Sequence, residues 1–427
     1  MPHCKFDNGT AFVNETVICF CHIYSLYGIL LNLYTRRNFE NRQLLILLRY
    51  CKMELYILDT CYNPTAAANN RLFSYASVWK KHGVKTTVFY LFPYNKGVKC
   101  DRYLDDINFV YLWEGTSFDN KYYNTVRSII KLRKILKPSI PVYVYSMINC
   151  LYFIQKRNIR VFHEQTENPD VVGRIGGVVG KYLYRLYEKA VQQIECLFVI
   201  TPALKDKYIK EFDIDPAKID VVNMTVDKNR FMNLSDYESS DTISYCGYIS
   251  EFKDGVSVLI RAFAIVHAKH PNYKLQIIGP FADNKTEQNL YSLVESLGVK
   301  NNVVFTGPIA ADTMPIRLKS SKILALARPD NLQAKYGFAT KIGEYLMTGR
   351  PAVLTRVGAV EDFLQDKHDC ILAEPDNVDD FAEKLLWTID NYEEAASIGK
   401  RGRETALRCF NSEIEAEKIY NRIFNTL

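Results

Sequence analysis

The stretch Lys335–Pro351, KYGFATKIGEYLMTGRP, is the most informative segment of this chain. It predicts a loop followed by one helix with two faces, at about 100° of rotation per residue. The apolar face consists of Phe338, Ile342, Tyr345 and Leu346. The other side carries Gly337, Thr340, Lys341 and Glu344. Gly349 is a typical helix stop, and Pro351 prevents the helix from continuing into the apolar run Ala352–Leu354, which predicts a buried strand.

A helix that begins at a glycine loop after a strand offers free backbone N–H groups and the positive end of its dipole to an anion. Glu344 lies on the polar face of the predicted helix, where it could accept hydrogen bonds from sugar hydroxyls. An ordinary surface helix of an α/β domain explains the same short pattern, so both interpretations stay open on this stretch alone.

The composition is that of a globular protein. The chain has 427 residues, of which 48% are hydrophobic and 24% charged, and this length predicts two or three domains. A net charge of +6 is mild for such a length, and no aromatic-basic nucleic-acid motif is present. The 11 cysteines include no C-x-x-C pair and form no metal-ligand cluster. We therefore expect a reduced, cytoplasmic protein that binds no nucleic acid and no metal.

The first 52 residues form a separate segment. Val17–Tyr34 is apolar but barely long enough to cross a bilayer, and polar residues interrupt it. Residues 1–52 are therefore an N-terminal extension, which either precedes the true start or is a marginal membrane anchor. Met53 opens MELYILDT, which reads as a first strand, and we expect a protein truncated to begin there to fold and work.

From Met53 onward, strands alternate with helices in two sets. This pattern predicts an α/β protein with two doubly wound parallel-sheet domains that face a cleft, spanning residues 53–235 and 236–410. In such sheets ligands bind at the carboxyl ends of the strands. Ser412-x-x-Glu415 resembles a capping box, and the helix of residues 411–427 is expected to cross back onto the first domain.

Two glycines in the second half directly follow predicted strands. Gly247 follows Ile243–Cys246, where it lets the backbone approach a ligand, and Gly279 follows Leu275–Ile278 in the same way. Lys253, near the next helix start, could neutralise phosphate oxygens. Turn glycines with a solvated lysine are the alternative interpretation.

Three more cations surround the lead stretch. Arg328, Lys335 and Lys341, together with Lys253, could hold a diphosphate without a metal, although we expect at least one to be a solvated surface charge.

Polar residues in the first half also follow predicted strands. Asn70 and Arg71 end a loop of small residues, and Arg71 could contact an anion or brace the helix. His163 and Glu164 follow a short strand and could contact the reacting sugar, whereas a hydrogen-bonded structural histidine is the alternative. The basic amphipathic stretch around Lys131–Lys137 could rest on an anionic membrane, but a core-packing helix with a charged outer face is the favoured interpretation.

These residues together resemble a known family. The second half is similar to the nucleotide-sugar domain of the family 4 glycosyltransferases (glycosyl transferases group 1), whose two Rossmann-like domains form the GT-B fold. The matching segments are Ile243–Gly255, Leu275–Gly279, Val303–Gly307 and Tyr336–Val353. Weaker similarity in the first half covers Leu55, Ala66–Arg71, His163 and Val221–Phe231.

The resemblance implies a function and a set of site residues. The second domain would bind a nucleotide-sugar, the first would bind a glycan or lipid-linked acceptor, and the sugar would be transferred with retention, without a metal or other cofactor, in polysaccharide or glycolipid biosynthesis. The donor site would comprise Gly247, Lys253, Gly279, Arg328, Lys335, Gly337, Phe338, Thr340, Lys341 and Glu344. His163 and Glu344 would be catalytic, and the acceptor side would comprise Asn70, Arg71 and Glu164. The protein would be cytoplasmic, with peripheral contact at the inner membrane face left open.

The chain departs from the family pattern at two positions. Tyr336 stands where the family has the first of two paired glutamates, and Tyr248 replaces a common arginine. Glu344 matches the second glutamate, which contacts the ribose, and Lys253 matches a lysine that contacts the diphosphate. Two alternatives therefore remain, a sugar-nucleotide epimerase of the same fold and a catalytically silent nucleotide-sugar-binding protein.

Overall fold

The computed structural model describes residues 53–61, 67–92, 107–112, 121–145, 151–154, 158–171, 177–232, 234 and 239–425. The predictions for residues 1–52, including the membrane anchor at Val17–Tyr34, lie outside this described part. Within it, no helix combines the length and apolar character needed to span a bilayer.

A parallel sheet of seven strands forms the first half. Its strands are β1 (Met53–Cys61), β2 (Val84–Phe92), β3 (Ile107–Tyr111), β4 (Val142–Tyr145), β5 (Val161–Gln165), β6 (Cys196–Val199) and β7 (Ile219–Val221). They follow the order β3-β2-β1-β4-β5-β6-β7. Every residue of β4, β5 and β6 is buried, as expected for the centre of a parallel sheet covered on both faces.

The helices of the first half pack on this sheet. They are α1 (Ala67–Lys81), α2 (Lys121–Ile135), α3 (Leu151–Ile154), α4 (Gly177–Val191), α5 (Pro202–Phe212) and, in the connection to the second half, α6 (Asn229–Met232). In α2, Leu132 is buried in the core while Lys131 and Lys134 are exposed. This agrees with a core-packing helix with a charged outer face, and contact with a membrane stays a prediction.

A second parallel sheet of six strands forms the other half. Its strands are β8 (Ser240–Cys246), β9 (Lys274–Ile278), β10 (Val303–Gly307), β11 (Ser321–Leu326), β12 (Ala352–Thr355) and β13 (Ile371–Ala373). They follow the order β10-β9-β8-β11-β12-β13, so the direction of strand addition changes between β8 and β11. Such a switch point opens a crevice for ligands at the carboxyl ends of the strands.

Ten more helices follow the first half and complete the described chain. They are α7 (Glu251–Asp254), α8 (Val256–Lys269), α9 (Asn284–Ser296), α10 (Met314–Lys319), α11 (Leu332–Tyr336), α12 (Thr340–Met347), α13 (Val360–Phe363), α14 (Val378–Asp390), α15 (Tyr392–Cys409) and α16 (Ser412–Phe424). The lead stretch contains α12, which ends at Met347, two residues before the predicted stop at Gly349.

The last helix crosses back onto the first half, as predicted. Trp79 of α1 donates its indole N–H to the carbonyl of Ala416 in α16 over 2.8 Å, and Lys228 pairs with Glu413 at 2.6 Å. The capping box was wrong in its first residue, because Asn411 is the N-cap and its side chain accepts from the Glu413 amide. The domain boundaries at 235/236 and 410/411 stay predictions, since the described chain beyond Met53 forms one compact unit.

Candidate functional site

A cavity of about 290 Å³ lies between the two halves. From the first half it is lined by Arg71, Tyr145, Gln165, Thr166, Glu167, Ile200 and Thr225. From the second half it is lined by Lys253, Asp254, Arg328, Gly337, Phe338, Ala339, Thr340 and Lys341. Gln165 ends β5 and Arg328 lies just beyond β11, so the cavity is at the carboxyl edges of both sheets, where open α/β sheets bind ligands.

The start of α12 faces this cavity. Its N-cap is Ala339, in an extended conformation with φ −75° and ψ 113°, and no side chain of the described residues caps the helix. The residues from Gly337 to Lys341 all line the cavity. First-turn N–H groups without a capping side chain, together with the positive end of the helix dipole, favour an anion at this place.

Arg328 is a buried cation with an unused donor. Its side chain is 5% exposed, and one guanidinium nitrogen donates to the carbonyl of Gln333 over 3.3 Å. Its Nε has no hydrogen-bond partner among the described residues. Burial lowers the pKa of this guanidinium, and Asp254 and Glu167 oppose that effect. A buried donor without a partner costs free energy, which an anionic ligand in the cavity would recover.

Lys341 is held in place by an acidic partner. Its ammonium group contacts Asp254 Oδ2 and lies 3.3 Å from the Tyr245 hydroxyl. Burial lowers the pKa of Lys341, while the carboxylate of Asp254 raises it. Lys341 therefore presents a positive charge that is fixed at the wall of the cavity.

The two strand-end glycines make room for this arrangement. A Cβ added to Gly247 would lie 2.4 Å from Lys341 Nζ, and one added to Gly279 would lie 1.9 Å from the carbonyl oxygen of Gly247. Gly279 thus serves the packing of two strand ends, and Gly247 serves the placement of the lysine. Their predicted role as direct ligand contacts remains untested.

Lys253 bridges the two halves. It pairs with Glu167 at 2.8 Å, and Gln333 donates to the same carboxylate over 3.2 Å. The lysine side chain is 39% exposed, so this ion pair contributes little to stability. Its position at the cavity leaves it available to exchange the carboxylate for a phosphate.

Glu344 has a cationic partner that the sequence analysis missed. Arg230, in α6, pairs with it at 2.6 Å and also donates to the carbonyl of Ala311 over 2.9 Å. Both side chains line a smaller cavity of about 20 Å³, to which Asn70 and Thr340 also contribute. The only sequence signal was the weak family similarity of Val221–Phe231, which did not single out one residue.

Arg71 connects three segments of the first half through an ion pair and hydrogen bonds. It pairs with Glu164 at 2.6 Å and donates to the carbonyl of Asn223 over 2.9 Å. The Tyr143 hydroxyl donates to the other oxygen of Glu164, which is buried. Of the two interpretations of Arg71, the structure supports the brace, and it places Glu164 inside the same buried network rather than at an open acceptor surface.

The structure corrects the predicted position of His163. The ring is fully buried, its Nδ1 lies 3.0 Å from the carbonyl oxygen of Val144, and its Nε2 lies 3.4 Å from the Tyr187 hydroxyl. The reason is that β5 continues to Gln165, so that Gln165, Thr166 and Glu167 reach the cavity instead. His163 is the hydrogen-bonded structural histidine of the alternative interpretation.

Burial of His163 makes stability depend on pH. It lowers the pKa of the ring to about 4 from an ordinary value near 6.5. The unfolded chain therefore takes up this proton first as the pH falls, and about 3 kcal/mol of stability should be lost between pH 6.5 and pH 4. Urea unfolding across this range should show the decline, and His163→Asn should flatten it. An unchanged decline in the variant would contradict this placement.

Two aromatic residues and one lysine of the lead stretch make their main contacts outside the cavity. Lys335 is exposed with its ammonium 5.5 Å from the Tyr336 ring, which makes it the expected solvated charge. The Tyr336 ring lies 5.2 Å from Lys207 Nζ of α5. Phe338 lines the cavity but packs edge-on against Phe363, so most of its surface serves the core.

A metal site is not evident in the described part of the chain, where no group of three or more His, Cys, Asp or Glu side chains could hold an ion. Chemistry without a metal stays a prediction.

Comparison with known proteins agrees with this geometry. Residues 234–405 match the family model described as "Glycosyl transferases group 1". This segment is similar to that family. The similarity includes the D-inositol 3-phosphate glycosyltransferase of Corynebacterium kroppenstedtii, which is 24% identical over 237 residues, or 52% of this chain and 51% of the relative. It also includes the MMP alpha-(1->4)-mannosyltransferase of Mycolicibacterium hassiacum, which is 22% identical over 227 residues, or 53% of each chain.

Solved structures confirm the predicted GT-B fold. A glycosyltransferase from Rickettsia africae superposes with a TM-score of 0.68 at 18% identity, covering 88% of this chain and 100% of that one. Anabaena HepE in complex with UDP and glucose gives 0.69 at 15% identity, with 88% and 100% covered. The curated relatives above are matched over only about half of their length. The comparisons agree with the predicted class of enzyme and do not favour an epimerase or a silent binding protein.

Proposed function

We propose that the chain is a glycosyltransferase that moves a sugar from a nucleotide-diphosphate donor to a glycan or lipid-linked acceptor. The observation that carries the proposal is the convergence of Arg328, Lys341 and Lys253 with the uncapped start of α12 on one cavity between the sheets. Cations and oriented N–H groups at one point suit a diphosphate.

The same groups would act in the transfer step. When the bond between the sugar and the diphosphate breaks, negative charge grows on the leaving phosphate. Arg328 and Lys341 are already fixed by packing and hydrogen bonds, so they can stabilise that charge without rearranging. We further propose that the acceptor hydroxyl attacks the face that the leaving group vacates, which retains the anomeric configuration, and that no metal takes part.

Glu344 is proposed to bind the ribose of the donor. Arg230 contacts its Oε1 and fixes the carboxylate at the edge of the smaller cavity, beside Thr340 at the start of α12. The carboxylate would accept hydrogen bonds from ribose hydroxyls, and Arg230 would keep it oriented. The acceptor would enter from the side of Asn70, which lines the same cavity.

The setting in the cell is also a proposal. WaaG, a glycosyltransferase involved in lipopolysaccharide biosynthesis, superposes with a TM-score of 0.66 at 13% identity. By analogy we propose a role in polysaccharide or glycolipid synthesis in the cytoplasm, with peripheral contact at the inner face of the membrane.

The proposal is tested with a panel of nucleotide-sugars. Because HepE structures contain UDP or UDP-glucose, UDP-sugars come first and GDP-sugars second. A ligand that binds the folded protein raises its melting temperature by mass action. We expect one donor to stabilise the full chain and to be consumed only when an acceptor glycan is present. Stabilisation by no donor would refute the proposal, and an epimerised nucleotide-sugar without acceptor would assign the protein to the alternative.

Glu167→Gln is expected to tighten the binding of UDP by about threefold to fivefold. The change removes the carboxylate that occupies Lys253, while Gln333 can still bond to the new amide oxygen. An exposed ion pair contributes up to about 1 kcal/mol of free energy. In the variant, UDP binding no longer has to break this pair, so its free energy should become more favourable by that amount. Isothermal titration measures the change. Unchanged affinity would show that Lys253 does not contact the diphosphate.

A further inference from the structure

We propose that Asp254 and Gln165 bind the hydroxyl groups of the sugar that is transferred. This inference rests on the proposed function and deepens it, since it assigns recognition of the donor sugar to two side chains that neither the sequence analysis nor the family similarity singled out.

Asp254 lines the cavity and has one carboxylate oxygen without a hydrogen-bond partner among the described residues. The residue is 1% exposed and ends α7. Tyr245 donates to Oδ2 over 2.6 Å, and Lys341 contacts the same oxygen. Oδ1 is buried and has no hydrogen-bond partner among the residues that the structure describes. Two donors thus hold one oxygen and fix the orientation of the other.

Gln165 offers a second acceptor from the opposite sheet. The residue is fully buried at the end of β5, and its amide nitrogen donates to the carbonyl of Glu167 over 2.8 Å. That bond directs Oε1 away from Glu167, and Oε1 too lacks a partner within the described part of the chain. Both residues line the 290 Å³ cavity, one from each half of the protein.

The chemistry of these atoms selects their ligand. A carboxylate oxygen and an amide oxygen are acceptors only, so they repel phosphate and attract hydroxyl hydrogens. Leaving them buried without a donor costs free energy. The cavity therefore has cations for an anion and acceptors for a polyhydroxyl group, which are the two parts of a sugar diphosphate.

Tyr336 does not serve to bind the sugar in this proposal. The position where the resembling family has the first of its paired glutamates carries a phenol, which packs beside Lys207 and Lys335 and is not among the cavity-lining residues. The two acceptors supply, from other positions, the hydrogen-bond acceptor that a glutamate would have provided.

The test compares binding of UDP with binding of UDP-glucose, or of GDP with GDP-mannose if the panel selects guanosine nucleotides. Isothermal titration of the full chain gives the ratio of the two dissociation constants, which isolates the contribution of the sugar. In Asp254→Asn the amide oxygen must take the Oδ2 place because both donors point there, so an N–H replaces the acceptor at Oδ1. Gln165→Leu removes the other acceptor without touching Lys341.

We expect Asp254→Asn to lower the ratio of the dissociation constant of the nucleotide to that of the nucleotide-sugar by at least about tenfold. Gln165→Leu should lower the same ratio by about fivefold. Thr86→Val is the matched control, because Thr86 Oγ1 is also buried without a partner among the described residues but lies in β2, outside the cavity lining. That variant should keep the wild-type ratio.

An unchanged ratio in both variants would overturn the inference. If UDP and UDP-glucose then bind as tightly as they bind the wild type, the two acceptors contact neither ligand. If both ligands bind more weakly by the same factor, the two residues act on the diphosphate or the ribose instead. Failure of the wild type to bind any nucleotide of the panel is a different result, since it removes the proposed function itself.

Discussion

Arg328→Gln should weaken the binding of UDP by about 100-fold and leave the protein folded. Charge-assisted hydrogen bonds contribute about 1.5–3 kcal/mol each, and Arg328 can offer more than one to a phosphate. The loss should concern binding rather than stability, because the guanidinium is buried and its Nε has no partner in the described part of the chain. The variant, which has a neutral side chain at this place, should unfold at the same temperature as the wild type or at a slightly higher one.

Lys322→Gln is the matched control for this experiment. Lys322 lies in β11, the strand that precedes Arg328, but at its opposite end, where it pairs with Asp241 at 2.8 Å. The control should bind UDP as the wild type does. If Arg328→Gln also binds UDP normally, the diphosphate does not occupy the cavity at the start of α12.

Lys341→Met should abolish measurable transfer and lower the free energy of unfolding by about 3–5 kcal/mol. Removing one partner of a buried ion pair leaves the other charge uncompensated. Here the remaining charge is the carboxylate of Asp254, which among the described residues keeps only the hydroxyl of Tyr245 as a donor. Urea unfolding and a transfer assay measure the two effects separately.

The double variant Lys341→Met with Asp254→Asn separates structure from function. Neutralising both partners should restore most of the lost stability, because no buried charge is left unpaired. Transfer should stay absent, because the cation beside the diphosphate is still missing. Recovery of transfer together with stability would mean that Lys341 has only a structural role.

The sequence predicted the fold well where the signal was periodic and local. The two faces of α12 and the glycines that follow β8 and β9 come from spacing within one segment. The alternation of strands and helices predicted two parallel sheets for the same reason. These features depend on neighbours in the chain, which a single sequence displays.

The position of His163 was not predictable in this way. The sequence indicated a short strand that ends before His163, whereas β5 runs to Gln165. A strand buried on both faces has no apolar–polar alternation that marks its end, and β5 continues through a histidine, a glutamate and a glutamine. The residues at its carboxyl end were therefore placed three positions too early.

The sequence did not predict which charged side chains would pair or become buried. Arg328 and Lys335 are seven positions apart, yet one is buried beside the cavity and the other is exposed. Lys253 finds Glu167 from the other half of the protein, and Glu344 finds Arg230 in the connection between the halves. Such partners meet only after the two sheets have packed together.

The most direct test is a crystal structure of the full chain with the donor nucleotide, UDP or GDP according to the panel. We predict that its diphosphate lies at the start of α12, within hydrogen-bond distance of Arg328 Nε and Lys341 Nζ. A nucleotide bound elsewhere, with that cavity empty, would contradict the account.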